Sequence, residues 1–259
     1  MTRALERWYL EHGRHTLPWR ATRDRWLVLV SEVMLHQTQA PRVAQVYDAF
    51  VAQFPTPAAM AAASPADVIA AWGRLGYPRR ARWLWDAARI VDTDGWPEDL
   101  ATLPGVGRYT AAAVAAQADG ADAIGIEVNI RRVCERVRGE RLSDKEAEQA
   151  AIAIGSPLGG RDRLLALMDL GAMVCVARTP LCKECPIVRG CATKGALPTE
   201  TKHRQAAYVG SFRQRRGNVM ARLREGPTRA FELDGEALAS LLDDGLAEVT
   251  RGRAHLPKS

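Results

Sequence analysis

Apolar residues recur at three- and four-residue spacing through Asp24–Phe50, Pro65–Arg89 and Tyr109–Gln117, and Ala is abundant in the same stretches. That periodicity belongs to helices that bury one face. Alternation of Val, Ile and Thr is nearly absent before the last sixty residues, so the pattern predicts a mainly helical chain. Turn punctuation falls at Phe54-Pro-Thr-Pro57, Leu103-Pro-Gly-Val-Gly107, Gly155-Ser-Pro157 and Leu158-Gly-Gly160. A linker is expected over Pro198–Gln205. Beyond it, two short helices and a hairpin within Gly245–Leu256 predict a small winged-helix-like appendage. No internal repeat is present.

Composition narrows the class only a little. The 259 residues suffice for one large domain or two modest ones, and 47% apolar content permits a real core. Net charge is +6 with a pI near 9.3, which suits a polyanionic partner but does not specify one. No apolar run approaches the roughly 20 residues of a membrane span. The opening Met1–Arg14 is charged and amphipathic, without the apolar stretch of a secretory signal. A cytoplasmic protein is therefore expected.

Three clusters carry chemistry. Cys175, Cys182, Cys185 and Cys191 lie within seventeen residues, a density that argues for a metal site in a cytosolic chain. Zinc and an iron–sulfur cluster both satisfy four thiolates. Cys134, alone on a helix, reads as a small core residue. In Leu103-Pro-Gly-Val-Gly-Arg-Tyr-Thr110, a tight turn opens into a helix, so the amides of Gly105, Val106 and Gly107 are placed to hold a phosphate. In Ser31-Glu-Val-Met-Leu-His-Gln-Thr-Gln39, Glu32 sits among Val28, Leu29, Val33 and Leu35. Desolvation raises the pKa of such a carboxyl, as a general acid requires.

Taken in order, Leu17-Pro-Trp-Arg20, Ser31-Glu-Val-Met-Leu35, Gln37-Thr38, Leu75-Gly-Tyr77, Leu103–Gly107 and the cysteine run resemble the MutY-type adenine DNA glycosylases. These are helix-hairpin-helix relatives of endonuclease III, and the resemblance covers roughly residues 5–195. It implies a six-helix barrel over 21–130, a helical cluster domain from 1–20 and 131–200, and a [4Fe–4S] cluster on the four cysteines. The appendage would occupy 201–259. The resemblance also implies a monomer, bacterial and nucleoid-associated, acting on double-stranded DNA that holds a mispaired or damaged base, which is flipped into a pocket.

Position by position, Glu32 matches the family's general acid. Glu127, in Glu127-Val-Asn-Ile-Arg-Arg-Val133, stands where the family has Asp, and Asn129 keeps the family's Asn and would orient that carboxylate. The extra C–C bond adds about 1.5 Å, and misplacement near 1 Å costs about 100-fold. Asp122 is a rival carboxylate outside the motif's register. Tyr109 replaces the Schiff-base Lys of the lyases, which predicts a monofunctional hydrolase. Trp19, Arg20 and Leu35 match the base pocket, and Gln37 and Tyr77 match the duplex wedges. His36 and Leu165 depart from the family's Gln and its Glu or Gln. The short tail stands where many members have a NUDIX-like domain; Arg213, Arg215, Arg216 and Arg222 there read either as phosphate contacts or as a solvated face. Two alternatives stay open: a thymine or uracil mismatch glycosylase on the same fold, and a non-catalytic, cluster-bearing DNA-binding protein.

Overall fold

The computed structural model describes residues 2–200 and 207–258. In chain order its helices are α1 (Thr2–His12), α2 (Arg25–Leu35), α3 (Ala40–Gln53), α4 (Pro57–Ala61), α5 (Pro65–Trp72), α6 (Arg79–Asp94), α7 (Arg108–Gln117), α8 (Val128–Arg138), α9 (Asp144–Gly155), α10 (Gly160–Asp169), α11 (Phe212–Glu225) and α12 (Gly235–Asp243). A π-helical turn, Leu170–Val174, follows α10 directly. Strands β1 (Thr228–Arg229), β2 (Glu248–Thr250) and β3 (Arg253–His255) form one antiparallel sheet in the order β1-β3-β2. The chain thus has the mainly helical character that the periodicity predicts.

Local chemistry fixes several boundaries. Capping boxes start α5 (Ser64 with Asp67) and α9 (Ser143 with Glu146), each satisfying two otherwise orphaned amides. Two breaks were not legible in the apolar pattern. The Asp24–Phe50 stretch divides between α2 and α3 at His36–Gln39, where Gln37 adopts φ 54°. The Pro65–Arg89 stretch divides at Gly73–Pro78, with Gly73, Gly76 and Tyr77 all at positive φ. Buried apolar residues stand on both sides of each break, Met34 and Val43 at the first and Trp72 and Ala81 at the second, so the spacing hides the turns. The strand β1, two residues long, is too short to show alternation in the sequence. The expected linker at Pro198–Gln205 falls partly outside the described residues.

The chain forms two compact units, Met1–Leu29 with Val106–Lys202 and Val30–Gly105 with His203–Ser259. In the first, Leu5, Ile130, Val133, Leu164 and Leu167 are fully or almost fully buried in one core around α10. Cys134 lies in that core with no solvent exposure, and burial pushes its thiol up to about 12, consistent with a packing role. In the second, Phe50 packs edge-on against both Phe54 and Trp72. No helix among the described residues is long and apolar enough to cross a membrane.

Candidate active site and cysteine pocket

Glu32 projects from α2 and is 2% exposed. Its neighbours in sequence, Ser31, Val33 and Met34, are equally buried, so the helix has no solvent face there. Leu35, at the helix's last residue, is half-buried. Immediately after it, Gln37 is exposed in the left-handed region at φ 54°, and Tyr77 does the same at φ 47° with 44% exposure. Non-glycine residues held there are uncommon and cluster at functional sites.

One side chain that sequence reasoning passed over fastens both turns. Arg80, 4% exposed on α6, donates from Nη1 to the carbonyls of Val33 (2.8 Å), Met34 (2.9 Å) and His36 (2.6 Å). Its Nη2 donates to Thr38 Oγ1 and to the Gly76 carbonyl, both at 3.0 Å. The guanidinium also lies over the rings of Trp72 (5.1 Å) and Tyr77 (5.5 Å). It therefore closes the carbonyl end of α2 and ties it to the Gly76–Tyr77 turn. Burial and this cation together lower the His36 pKa, which holds that imidazole neutral at pH 7.

The Leu103–Gly107 turn has Gly105 at φ +73°, and a Cβ there would stand 2.9 Å from Trp83 Cβ. Gly107 is the N-cap of α7 and a Cβ on it would meet nothing within 4 Å. Among the described residues no acceptor meets the amides of Gly105, Val106 or Gly107. Gly105 and Gly107 are accessible, Val106 is buried, and Arg108 stands exposed beside them. A helix N-terminus with free amides and an adjacent cation suits a phosphate.

Glu127 is the N-cap of α8. Its carboxylate accepts from Asn129 N (2.8 Å), Asn129 Nδ2 (2.9 Å) and Ile130 N (2.9 Å), so Asn129 orients it by both main chain and side chain. Burial nevertheless pushes the Glu127 pKa up, against the opposing pull of those amides and of Arg132. Arg132 continues the chain of contacts. It donates to Asn129 Oδ1 (2.6 Å), to the Gly171 carbonyl (2.7 Å) and to the Cys175 carbonyl (2.7 Å). Gly171 is obligatory here, since a Cβ would lie 2.7 Å from Asn129 Cβ. The rival Asp122 is instead bonded to the Gly160 amide and to Arg163, away from this cap. Tyr109 packs its ring over Gly125, and its hydroxyl lies 3.6 Å from Met168 Sδ.

Arg20 and Trp19, expected in a base pocket, are both buried. The Arg20 guanidinium grips Asp169 with both terminal nitrogens (3.1 and 2.9 Å). Arg14 adds two bonds to the same carboxylate, through Nε (2.6 Å) and its own amide (2.9 Å). Asp169 has no solvent exposure and was not singled out in the sequence, where a lone Asp in an apolar run carries no signal. Leu165, one turn earlier, is buried at 3%.

Cys175, Cys182, Cys185 and Cys191 all line one pocket, together with Arg136, Val174, Leu181 and Val188. None is disulfide-bonded. Arg136 Nη1 lies 3.4 Å from Cys175 Sγ, and Cys191 Sγ lies 3.3 Å from the Arg136 carbonyl. Glu200 holds the same guanidinium through two bonds (2.6 and 2.8 Å). Among the described residues no three His, Cys, Asp or Glu side chains converge closely enough to hold a single metal ion.

Residues 30–156 match the HhH-GPD superfamily base excision DNA repair proteins. The helical architecture, the glycine turn before α7 and the buried Glu32 fit that class. The chain is 39% identical over 267 residues to the adenine DNA glycosylase of Mycolicibacterium smegmatis, covering 94% of this chain and 91% of that one. Among solved structures, a thermostable thymine-DNA glycosylase superposes with a TM-score of 0.65 at 30% identity, covering 74% of this chain and 93% of its own. An endonuclease III trapped on DNA superposes with a TM-score of 0.62 at 22% identity, covering 74% and 94%, a likeness of fold. The chain belongs to the adenine DNA glycosylase family of the HhH-GPD superfamily.

Proposed function

We propose that this protein is a monofunctional DNA glycosylase of base excision repair that hydrolyses the N-glycosidic bond of adenine mispaired with 8-oxoguanine or guanine. The alignment with an adenine DNA glycosylase over nine-tenths of its length carries the choice of base. Glu32, buried in an apolar helix, supplies the proton to the departing base. Glu127, pinned by three donated hydrogen bonds, holds a carboxylate in one place for the developing oxocarbenium sugar. With Tyr109 in place of an amine, no Schiff base forms and the reaction ends at hydrolysis. Gly105, Val106 and Gly107 hold a phosphate, while Gln37 and Tyr77 enter the duplex beside the extruded nucleotide. The setting this reading implies is a monomer working on duplex DNA in the bacterial nucleoid.

The resemblance to the MutY-type glycosylases assigns a [4Fe–4S] cluster to the four cysteines. Here the four thiols line one pocket, as the ligands of a single metal group do. Bound, such a cluster cross-links the loop from Cys175 to Cys191. Arg136 and Arg132 fasten the start of that loop to α8 from the protein side.

Single-turnover assays on a panel of mispaired duplexes test the reading. Adenine release opposite 8-oxoguanine or guanine is expected, and Glu32→Gln should abolish it while leaving duplex affinity nearly intact, because proton donation acts only in the transition state. Release of thymine or uracil instead would assign the chain the specificity of a mismatch glycosylase. No release of any base would leave a DNA-binding role.

A further inference from the structure

The arginines of the C-terminal residues are sorted in a way their sequence does not show. Arg215, Arg216 and Arg222, all on α11, are engaged by acids nearby. Arg215 pairs with Asp234 (3.1 Å) and Glu236 (2.6 Å), Arg216 with Asp244 (2.6 Å), and Arg222 with Glu232 (3.5 Å). The helix that looked basic is thus largely neutralised, and its arginines serve packing within the unit.

The sheet tip is different. In the β1–β3 register Arg229 stands directly opposite Arg253, and in the β2–β3 register Arg253 stands opposite Thr250. Opposed residues share a face, so two like charges are seated as cross-strand neighbours, an arrangement that costs stability; the Arg229 guanidinium lies 5.9 Å from the Phe231 ring centre. The β2–β3 connection is the two-residue turn Arg251-Gly252, with φ values of 51° and 76°. Such turns favour Asn-Gly, and an arginine in the left-handed position adds strain. Ala230 N donates to the Gly252 carbonyl at 3.0 Å, which fastens the following Phe231, 80% exposed, beside the tip. The facing acids do not neutralise the tip. Glu232 reaches Arg229 only at 3.9 Å and is shared with Arg222, and Glu248 faces His255 at 3.9 Å one row away. Among the described residues Arg251 and Arg253 form no ion pair; Arg253 donates only to the Pro227 carbonyl, at 3.3 Å. An ordinary solvated hairpin needs none of these three choices.

We propose that Arg229, Arg251 and Arg253, with Phe231 beside them, form a docking surface for the phosphate backbone of duplex DNA. A repeating polyanion is the partner that repays like charges held adjacent and a cation strained outward at a turn. The choice of duplex rests on the proposed glycosylase function; the demand for a polyanion rests on the tip alone. Contacts of this kind add affinity without sequence preference and lie outside the hairpin before α7.

The test is equilibrium binding of the full chain to an undamaged duplex between about 50 and about 200 mM salt, read as the slope of log K against log salt. Each phosphate contact contributes about 0.9 to that slope, so R229Q/R251N/R253Q should reduce its magnitude by about 2.7. The charge-preserving R229K/R251K/R253K should keep the wild-type slope. R251N alone should raise the Tm, because Asn suits the turn, while reducing the slope by about 0.9. A stability gain joined to a binding loss is what an arginine kept only for structure would not give. An unchanged slope in the glutamine and asparagine variants overturns the proposal and points to a different polyanion or an acidic protein. Excision by the wild-type protein is scored separately: its absence overturns the proposed function and leaves the slope result standing.

Discussion

Replacing Arg80 by Met tests whether one buried cation holds the two exposed turns. The five hydrogen bonds it donates are charge-assisted, and at about 1.5 kcal/mol each they amount to roughly 7 kcal/mol. Against this stands burial, which lowers the Arg80 pKa from 12.5 to about 10 and penalises the charged form by about 3 kcal/mol at 1.36 kcal/mol per pKa unit. Its Nε, buried without a partner, makes no further contribution. The difference, about 4 kcal/mol, lies at the low end of what four stranded carbonyls cost at roughly 1–3 kcal/mol each. Met fills most of the volume, so the loss comes from the stranded carbonyls of Val33, Met34, His36 and Gly76 and not from a cavity. Urea unfolding should therefore show R80M destabilised by about 4 kcal/mol. Arg80→Lys should recover only part of that, since one ammonium cannot span acceptors on both turns. Single-turnover excision should fall more steeply in both variants than duplex affinity, because the relaxed turns carry Gln37 and Tyr77. A loss under about 1 kcal/mol in R80M, or wild-type behaviour in R80K, would refute the clamp.

Three further outcomes follow from the site. The Glu127 pKa is raised, so if its carboxylate acts ionised, the acid limb of excision lies above that of an unperturbed carboxyl and activity falls as pH drops through it. The same raised pKa means folding stability declines as pH rises from the unfolded carboxylate value through the folded one, a sign that chemical denaturation against pH would check. Glu127→Gln should remove the limb and cost orders of magnitude in rate; an unmoved limb would take Glu127 out of the chemistry. Gly107→Val should still fold, since a Cβ there meets nothing, losing about 1 kcal/mol for a poorer N-cap, yet weaken binding to every duplex alike. Loss confined to one mispair would contradict phosphate holding. Anaerobically purified protein should be brown with about four irons per chain, and Cys182→Ser should lose the iron with little change in the stability of helices α2–α6. Stoichiometric zinc would refute the cluster.

Much of this protein is dictated by residues close together in the chain. Helical periodicity sets the class, the Leu103–Gly107 turn sets the start of α7, and the spacing of Cys175 to Cys191 draws attention to one loop. Local signals suffice there because caps, turns and loop ligands act within a few residues of themselves. The Glu127 cap belongs to this group, since its partners lie two and three positions ahead. What sequence could not disclose is long-range pairing of charge. Asp169 is gripped by Arg14 and Arg20 from 155 and 149 residues away, and Arg80 meets carbonyls 44 to 47 residues earlier. Arginines that read as one basic tract on α11 turn out to be matched by acids of the following segment, and the unmatched ones gather at a sheet tip only when β1 and β3 pair. A charge's role is fixed by what stands across from it in space, and only the tertiary structure puts those partners within a few ångströms of one another.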